Sequence, residues 1–443
     1  MSMSRLRAPV ANEMKREIGV GLLGLGTVGG GVARALMERR DYFARQVGAD
    51  LVVRGAAVRD LSKPRTVELP PALLTTDVDS VINDPRVDIV VEVVGGEEPA
   101  GSWIRKAIGA GKHVVTANKE LMAKSGPELL ELAHARGLDI MFEASVGGGI
   151  PLIAPLRRDL LANRIDSIRA IINGTTNYIL TRMASEGTTY AAALQAAQEL
   201  GYAEPDPTND VEGFDAAYKL AIMASLGFRT RVRPGDITVE GISKLDVADF
   251  RNAAELGYVI KLLAIAERVR GGITARVAPV YIPQAEPMAK VDGVYNAVQV
   301  EGDLTGTVLF QGRGAGAEPT SSAVVADLLD LAHAIVLGAR ERKYWGPDSD
   351  VPVLGPEALE TRYCVRVRVS DRPGVLAQIA TALGAHNVSI AAVIQKEADA
   401  ERGTAELVIM THRARETEIN AALEEINAMP VVSNIGSFLR VEG

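Results

Sequence analysis

The sequence predicts an α/β protein in which a doubly wound parallel sheet is followed by a mixed α+β region and a small C-terminal unit. Three observations carry that prediction. Short apolar runs alternate with helical stretches from residue 18 to about 150, a glycine-rich turn sits at the first strand–helix junction, and the last 83 residues read strand, helix, strand, strand, helix, strand. A length of 443 residues suits about three domains of roughly 150 residues each.

In the first region, IGVGLLG (18–24), LVVRGAAV (51–58), DIVVEVVG (88–95), HVVTA (113–117) and DIMFEA (139–144) are near-continuous apolar runs, as strands buried on both faces require. Stretches of helical periodicity separate them. Residues 1–150 are therefore expected to form one domain. Residues 151–340 have a different texture. Helices are expected at 151–161, 177–186, 190–200, 213–226 and 253–268, strands at 276–281, 298–302 and 308–316, and a closing helix at 320–337. Residues 312–340 are expected to pack back onto the first domain. A segment rich in charge, Gly and Pro, 341–360, reads as a linker. Residues 361–443 follow the ferredoxin-like order.

Composition excludes several chemistries. Lys plus Arg number 48 against 56 Asp plus Glu, a net charge of -8, where a nucleic-acid or membrane-surface protein carries a basic surplus. Cys364 is the single cysteine, so no intrachain disulfide or thiolate cluster can form, and five scattered histidines lack metal-ligand spacing. The polar stretch 1–17 is no secretory signal, and no apolar window of about 18 residues is read as a membrane span. A cytoplasmic protein is expected, using lysine, carboxylate or cofactor chemistry.

Gly24-Leu25-Gly26-Thr27-Val28-Gly29 follows the first strand directly. Gly24 permits the tight turn, Gly26 lets backbone approach a pyrophosphate, and Gly29 allows close helix–strand packing, which marks a Rossmann-type dinucleotide site. The second strand ends at Arg59-Asp60, with Lys63 close behind. Arg59 and Lys63 suit a 2′-phosphate and favour NADP, while Asp60 keeps NAD open.

The second informative stretch runs from Gly201 to Lys219. Two prolines make a rigid, non-helical loop, and helix resumes near Glu212 or Gly213. Asp215 and Lys219, four apart, share a face of a mostly apolar helix, where buried charges need partners or a purpose. Hydride transfer to an aldehyde leaves an alkoxide that a lysine of depressed pKa can protonate, and carboxylates such as Glu204 can bind a substrate ammonium.

With these motifs in view, the chain resembles homoserine dehydrogenase over nearly its whole length. The resemblance rests on GLLGLGTVGGGV (21–32), VVTANKELMA (114–123), FEASVGGGIP (142–151), INGTTNYIL (172–180), GYAEPDPTNDVEGFDAAYK (201–219) and GRGAGAEPTSSAVVADL (312–328). It implies NAD(P)-linked interconversion of L-homoserine and L-aspartate 4-semialdehyde, a step toward threonine, methionine and isoleucine. It also implies that Lys219 is the proton donor and acceptor, that Lys119 reaches in beside nicotinamide and substrate, and that Glu204 binds the substrate amino group. Asp210 and Asp215 would complete the polar pocket, and the turn holding Thr175 and Thr176 would approach substrate. Carbonyls of Glu143, Val146, Gly148 and Ile150 would hold a sodium ion, and Gly312 would return to the nicotinamide side. Dimerisation through the middle domain is implied, with tetramers open. Residues 363–443 resemble the ACT domain, in which Asp371, Gly374 and Asn387 would bind an amino-acid effector, threonine being the natural candidate. The competing reading is a dinucleotide- and amino-acid-sensing protein without catalysis.

Overall fold

The computed structural model describes residues 17–338, 346–347, 349–395 and 403–442. The N-terminal stretch read for a signal lies outside the described residues up to residue 16, as do 341–345 and 348 of the expected linker. The chain divides into two compact units, Met1–Gly149 with Ala315–Gly346, and Ile150–Gly314 with Pro347–Gly443.

The first unit holds a six-stranded, all-parallel sheet. Its order is Leu74–Thr75, Asp50–Ala57, Glu17–Leu23, Ile89–Glu92, His113–Thr116, Ile140–Met141, or 3-2-1-4-5-6 in sequence numbering. The order reverses beside Glu17–Leu23, so the crevice for a ligand opens at that strand's C-terminal end. The apolar runs bury as their composition demands: Ile18, Val20, Leu22, Ile89, Val90 and Val91 are fully buried. The helix Ala317–Val336 belongs to this unit, and its Val324, Leu328 and Leu331 share a core with Val32 and Leu36 of the helix Thr27–Glu38. Gly31 lies close to the helix Ala317–Val336, where a Cβ would stand 2.2 Å from the Ser321 hydroxyl oxygen.

That helix corrects one reading of the sequence, which found no apolar window long enough to span a membrane. Ala317–Val336 is 20 residues long with a mean hydropathy of 1.2 in its window. Its apolar face is buried in the core around Val32 and Leu36, so its composition is that of a core helix.

The second unit is built on one large sheet. Across it lie Gly306–Arg313, Tyr295–Gly302, Ile165–Ile171, Tyr258–Val269, Gly272–Pro283, Val432–Val441, Glu360–Ser370, Thr404–Thr411 and Ile390–Gln395. The last four strands carry the 4-1-3-2 order of a ferredoxin-like unit, with the helices Val375–Ala385 and Glu416–Asn427. They join the preceding strands through a parallel pairing of Val280 with Arg440 and Tyr281 with Val441. Within the segment expected as a linker, Val353–Leu354 pairs with Ile273 and Thr274.

Two further expectations change. The helix expected at 253–268 is instead a helix Val247–Glu255 followed by a central strand, Tyr258–Val269. Asp246 caps the helix by accepting from Ala248 N–H, and Gly257, at φ +81°, ends it. The strand is apolar on both faces, so periodicity cannot separate it from a buried helix. The proline-rich loop also contains a short helix, Thr208–Val211.

Candidate active site

In the first unit, Gly24 adopts φ +104°, a conformation open to glycine, and Gly29 packs so closely that a Cβ would stand 2.2 Å from the Gly24 carbonyl oxygen. Gly26 faces open space, and the helix Thr27–Glu38 begins there with no side-chain cap, leaving its first N–H groups for an anion. A cleft of about 680 Å³ is lined by Gly24, Leu25, Gly26, Thr27, Arg59, Asp60 and Lys63, among others. Val28 and Gly29 lie behind it; the Val28 carbonyl accepts from the Ser321 hydroxyl at 3.0 Å. These residues fit a dinucleotide: backbone approaches where a pyrophosphate needs it, and cations stand past the second strand.

The Asp60 carboxylate is engaged locally. It accepts from the Ser62 hydroxyl at 2.7 Å and the Ser62 N–H at 2.8 Å, and these bonds lower its pKa. Glu92, which the sequence reading did not single out, is fully buried at the end of its strand. It accepts from the N–H groups of Val94 (2.8 Å) and Gly95 (3.1 Å) and from the Thr116 hydroxyl (2.6 Å), and so fixes the turn that carries Val93 and Val94 into the cleft wall. A lone acid inside an apolar strand was the available signal. Lys119 opens the helix Lys119–His134 immediately after Asn118, which caps that helix at Leu121 N–H (3.1 Å) and donates to the Gly96 carbonyl (2.6 Å).

In the second unit, a polar cluster forms where two helices start. Gly213, at φ +87°, lets the helix Phe214–Phe228 begin, placing Asp215 in its first turn, where the helix dipole favours a carboxylate. Lys219 follows one turn later. Its Nζ donates to Asp215 Oδ2 at 2.7 Å and to the Ile172 carbonyl at 2.8 Å, with side chains 11% and 4% exposed for the lysine and the aspartate. Asn173 caps the helix Gly174–Glu186 through Oδ1, which accepts from Thr176 N–H at 2.9 Å. That bond orients the amide, so Nδ2 donates to Asp210 (2.7 Å) and Asp215 (2.9 Å). Asn173, which the sequence shows only as one residue of the INGTTNYIL stretch, is the hub of the cluster.

Thr175 donates to the Tyr202 carbonyl at 2.6 Å, and Thr176 to the Asn173 carbonyl at 3.1 Å. Glu204 is exposed on its loop; among the described residues no hydrogen bond joins its carboxylate to the cluster, and its carbonyl accepts from Gln198 at 3.2 Å. Gly312 and Ile150 belong to this unit, in contact with each other: a Cβ on Gly312 would stand 3.1 Å from Ile150. Glu143, Val146 and Gly148 belong to the first unit. Glu143–Ser145 forms a 3-10 turn, and Gly147 and Gly148 follow at φ +74° and +54°. At the C-terminal end, Asp371 and Gly374 line a cleft of about 440 Å³, whereas Asn387, at φ +60° after the helix Val375–Ala385, does not line it.

Other reactive groups withdraw. Cys364 is buried and its thiol is pushed up to about 12 by burial, which disarms it as a nucleophile. Among the described residues no three His, Cys, Asp or Glu side chains gather as a metal site.

A parallel dinucleotide-binding sheet in one unit and a buried lysine–carboxylate cluster in the other define a nicotinamide-dependent dehydrogenase. Comparison with known proteins narrows the class. Family models match residues 24–143 as the homoserine dehydrogenase NAD-binding domain, 151–329 as homoserine dehydrogenase, and 365–431 as an ACT domain. The homoserine dehydrogenase of Synechocystis sp. is 46% identical over 432 residues, covering 95% of this chain and 99% of that protein. That of Bacillus subtilis is 41% identical, covering 97% and 99%. The crystal structure of a homoserine dehydrogenase from Thiobacillus denitrificans superposes with a TM-score of 0.91 at 45% identity, over 97% of this chain and 99% of that one. A hyperthermophilic archaeal homoserine dehydrogenase in complex with NADPH gives 0.60 at 28% identity, over 71% and 97%. The chain belongs to the homoserine dehydrogenase family, oxidoreductases that interconvert L-homoserine and L-aspartate 4-semialdehyde. The competing reading, a sensor without catalysis, is not favoured.

Proposed function

We propose that the chain carries out this reaction with NADP, using Lys219 as the proton donor and acceptor at the substrate's terminal oxygen. The observation that carries the reading is the double tether of the Lys219 ammonium to Asp215 and the Ile172 carbonyl, which fixes it at the mouth of two helix starts. The nicotinamide, when bound, supplies or accepts the hydride. Lys219 gives its proton to the alkoxide that reduction creates, and takes it back when homoserine is oxidised. Asp215 and Asn173 hold the lysine and its partners in register. The substrate's cationic amine is to be bound by the carboxylates of Asp210 and Glu204. Lys119 takes the position beside nicotinamide and substrate, and Thr175 and Thr176 shape the substrate turn. Gly312 flanks the nicotinamide. Homoserine-dependent reduction of NADP is the test; absence of that activity in pure protein would remove the reading.

NADP is supported over NAD by Arg59 and Lys63 in the cleft lining and by the engagement of Asp60 with Ser62. A sodium ion held by carbonyls of Glu143, Val146, Gly148 and Ile150 is the further element, supported by the turn that the consecutive positive-φ glycines Gly147 and Gly148 make there. Replacing sodium by a bulky organic cation should lower activity. Threonine is the proposed effector, bound at Asp371, Gly374 and Asn387, and the cleft at the first two supports it. An unchanged rate and affinity across millimolar threonine would remove that part. The protein is read as a cytoplasmic homodimer or homotetramer, which sedimentation of the purified chain distinguishes.

A further inference from the structure

The second unit carries a cleft of about 930 Å³ lined by seven arginines and four glutamates, a positive concavity in a chain of net charge -8. It shares no lining residue with the Asp371–Gly374 cleft or with the dinucleotide cleft. Its walls come from the hairpin joining Tyr258–Val269 to Gly272–Pro283, from the stretch around Glu360, from the turn at Arg413 and Arg415, and from the chain end at Glu442.

Part of the positive charge is already matched. Arg276, 4% exposed, donates to Glu267 at 2.6 Å and to Glu442 at 2.7 Å. Burial pushes Glu442 up, but the Arg276 charge outweighs it and keeps the carboxyl below its usual range, so this acid is neutralised by its own partner. Arg268 donates to the Ile165 carbonyl at 2.8 Å and lies 5.2 Å over the Phe228 ring. Arg413 donates to the Glu360 carbonyl at 2.6 Å. Arg270 and Arg415 are exposed and make no ion pair among the described residues. Arg169 reaches Glu442 only at 3.9 Å, and its buried Nε lacks a hydrogen-bond partner. A planar guanidinium fork is suited to two-point capture of phosphate or carboxylate oxygens, and several converging forks suit a ligand with more than one such group.

We propose that this cleft binds a small polyanion bearing two or more phosphate or carboxylate groups, with Arg169, Arg270 and Arg415 as its contacts. The probes are pyrophosphate and citrate, each titrated calorimetrically into the full chain at constant ionic strength. Saturating NADP is present throughout, so that the Gly24–Gly29 turn is occupied. One saturable site per chain is expected for at least one probe. Preference for pyrophosphate assigns a phosphorylated ligand, and preference for citrate a polycarboxylate. In the double variant Arg270→Gln/Arg415→Gln, at two exposed positions, affinity should fall about tenfold or more with the melting temperature unchanged. The single variant Arg169→Gln should weaken the same site by a smaller factor. Absence of saturable binding by both probes, or binding that the double variant retains within threefold, overturns the proposal.

Discussion

The turn at Gly24–Gly29 and the cluster around Lys219 are built from opposite materials. The turn presents backbone: a glycine at φ +104°, a glycine open to solvent and a helix start without a side-chain cap. The cluster presents side chains: an ammonium, two carboxylates and an amide, linked by hydrogen bonds of 2.7–2.9 Å from Asn173 to both carboxylates and from Lys219 to Asp215. A backbone site takes a ligand whose charge is delocalised and whose geometry is fixed, and it fails when a Cβ is added at a closely packed glycine such as Gly29. A side-chain site can move a proton, and fails by loss of a single functional group. Each region should therefore break in a different kinetic constant.

Lys219→Ala is expected to have the largest effect. Turnover should fall by about 10²–10⁴, the usual range for losing a positioned acid–base group, with dinucleotide affinity unchanged. Steady-state rates and a cofactor titration check both halves; unchanged turnover would remove the proton-transfer role. Gly29→Ala should do the reverse. Its Cβ meets the Gly24 carbonyl oxygen at 2.2 Å, and relieving that overlap costs about 1–3 kcal/mol, read as dinucleotide binding weakened up to about a hundredfold with kcat at saturation nearly kept. Asn173→Ala leaves Asp210 and Asp215 without their shared donor. A loss of about 1–2 kcal/mol should appear as roughly tenfold lower kcat/KM for homoserine, with cofactor KM unmoved. Arg59→Ala should be smallest, about fivefold in KM for NADP and little in KM for NAD, because an exposed charge contact is worth about 1 kcal/mol. Equal effects on the two cofactors would break the NADP assignment.

The same contrast explains what the sequence made legible. The glycine spacing encodes the turn directly, because Gly24 and Gly29 each answer a local steric demand, and the apolar runs encode the 3-2-1-4-5-6 sheet because both faces are buried. The Asp215–Lys219 spacing announced a shared helical face. It could not announce Asn173, 42 residues from Asp215, since only tertiary folding brings that amide onto two carboxylates. Tyr258–Val269 was hidden for another reason. A strand in the middle of a wide sheet loses its alternation, so YVIKLLAIAERV reads equally well as a buried helix, and Gly257 was the overlooked stop.

No single neighbour covers the outer edge of the strand Gly272–Pro283. Thr238–Val239, Val353–Leu354 and the chain end at Arg440–Val441 take turns along it. An apolar strand with a bare row of amide and carbonyl groups is a template for pairing with another chain. The final strand of the ACT domain thus acts as a weatherseal on the catalytic sheet. A chain shortened before residue 360 would lose that cover at Val280 and Tyr281, and its first symptom would be precipitation at micromolar concentration rather than altered kinetics.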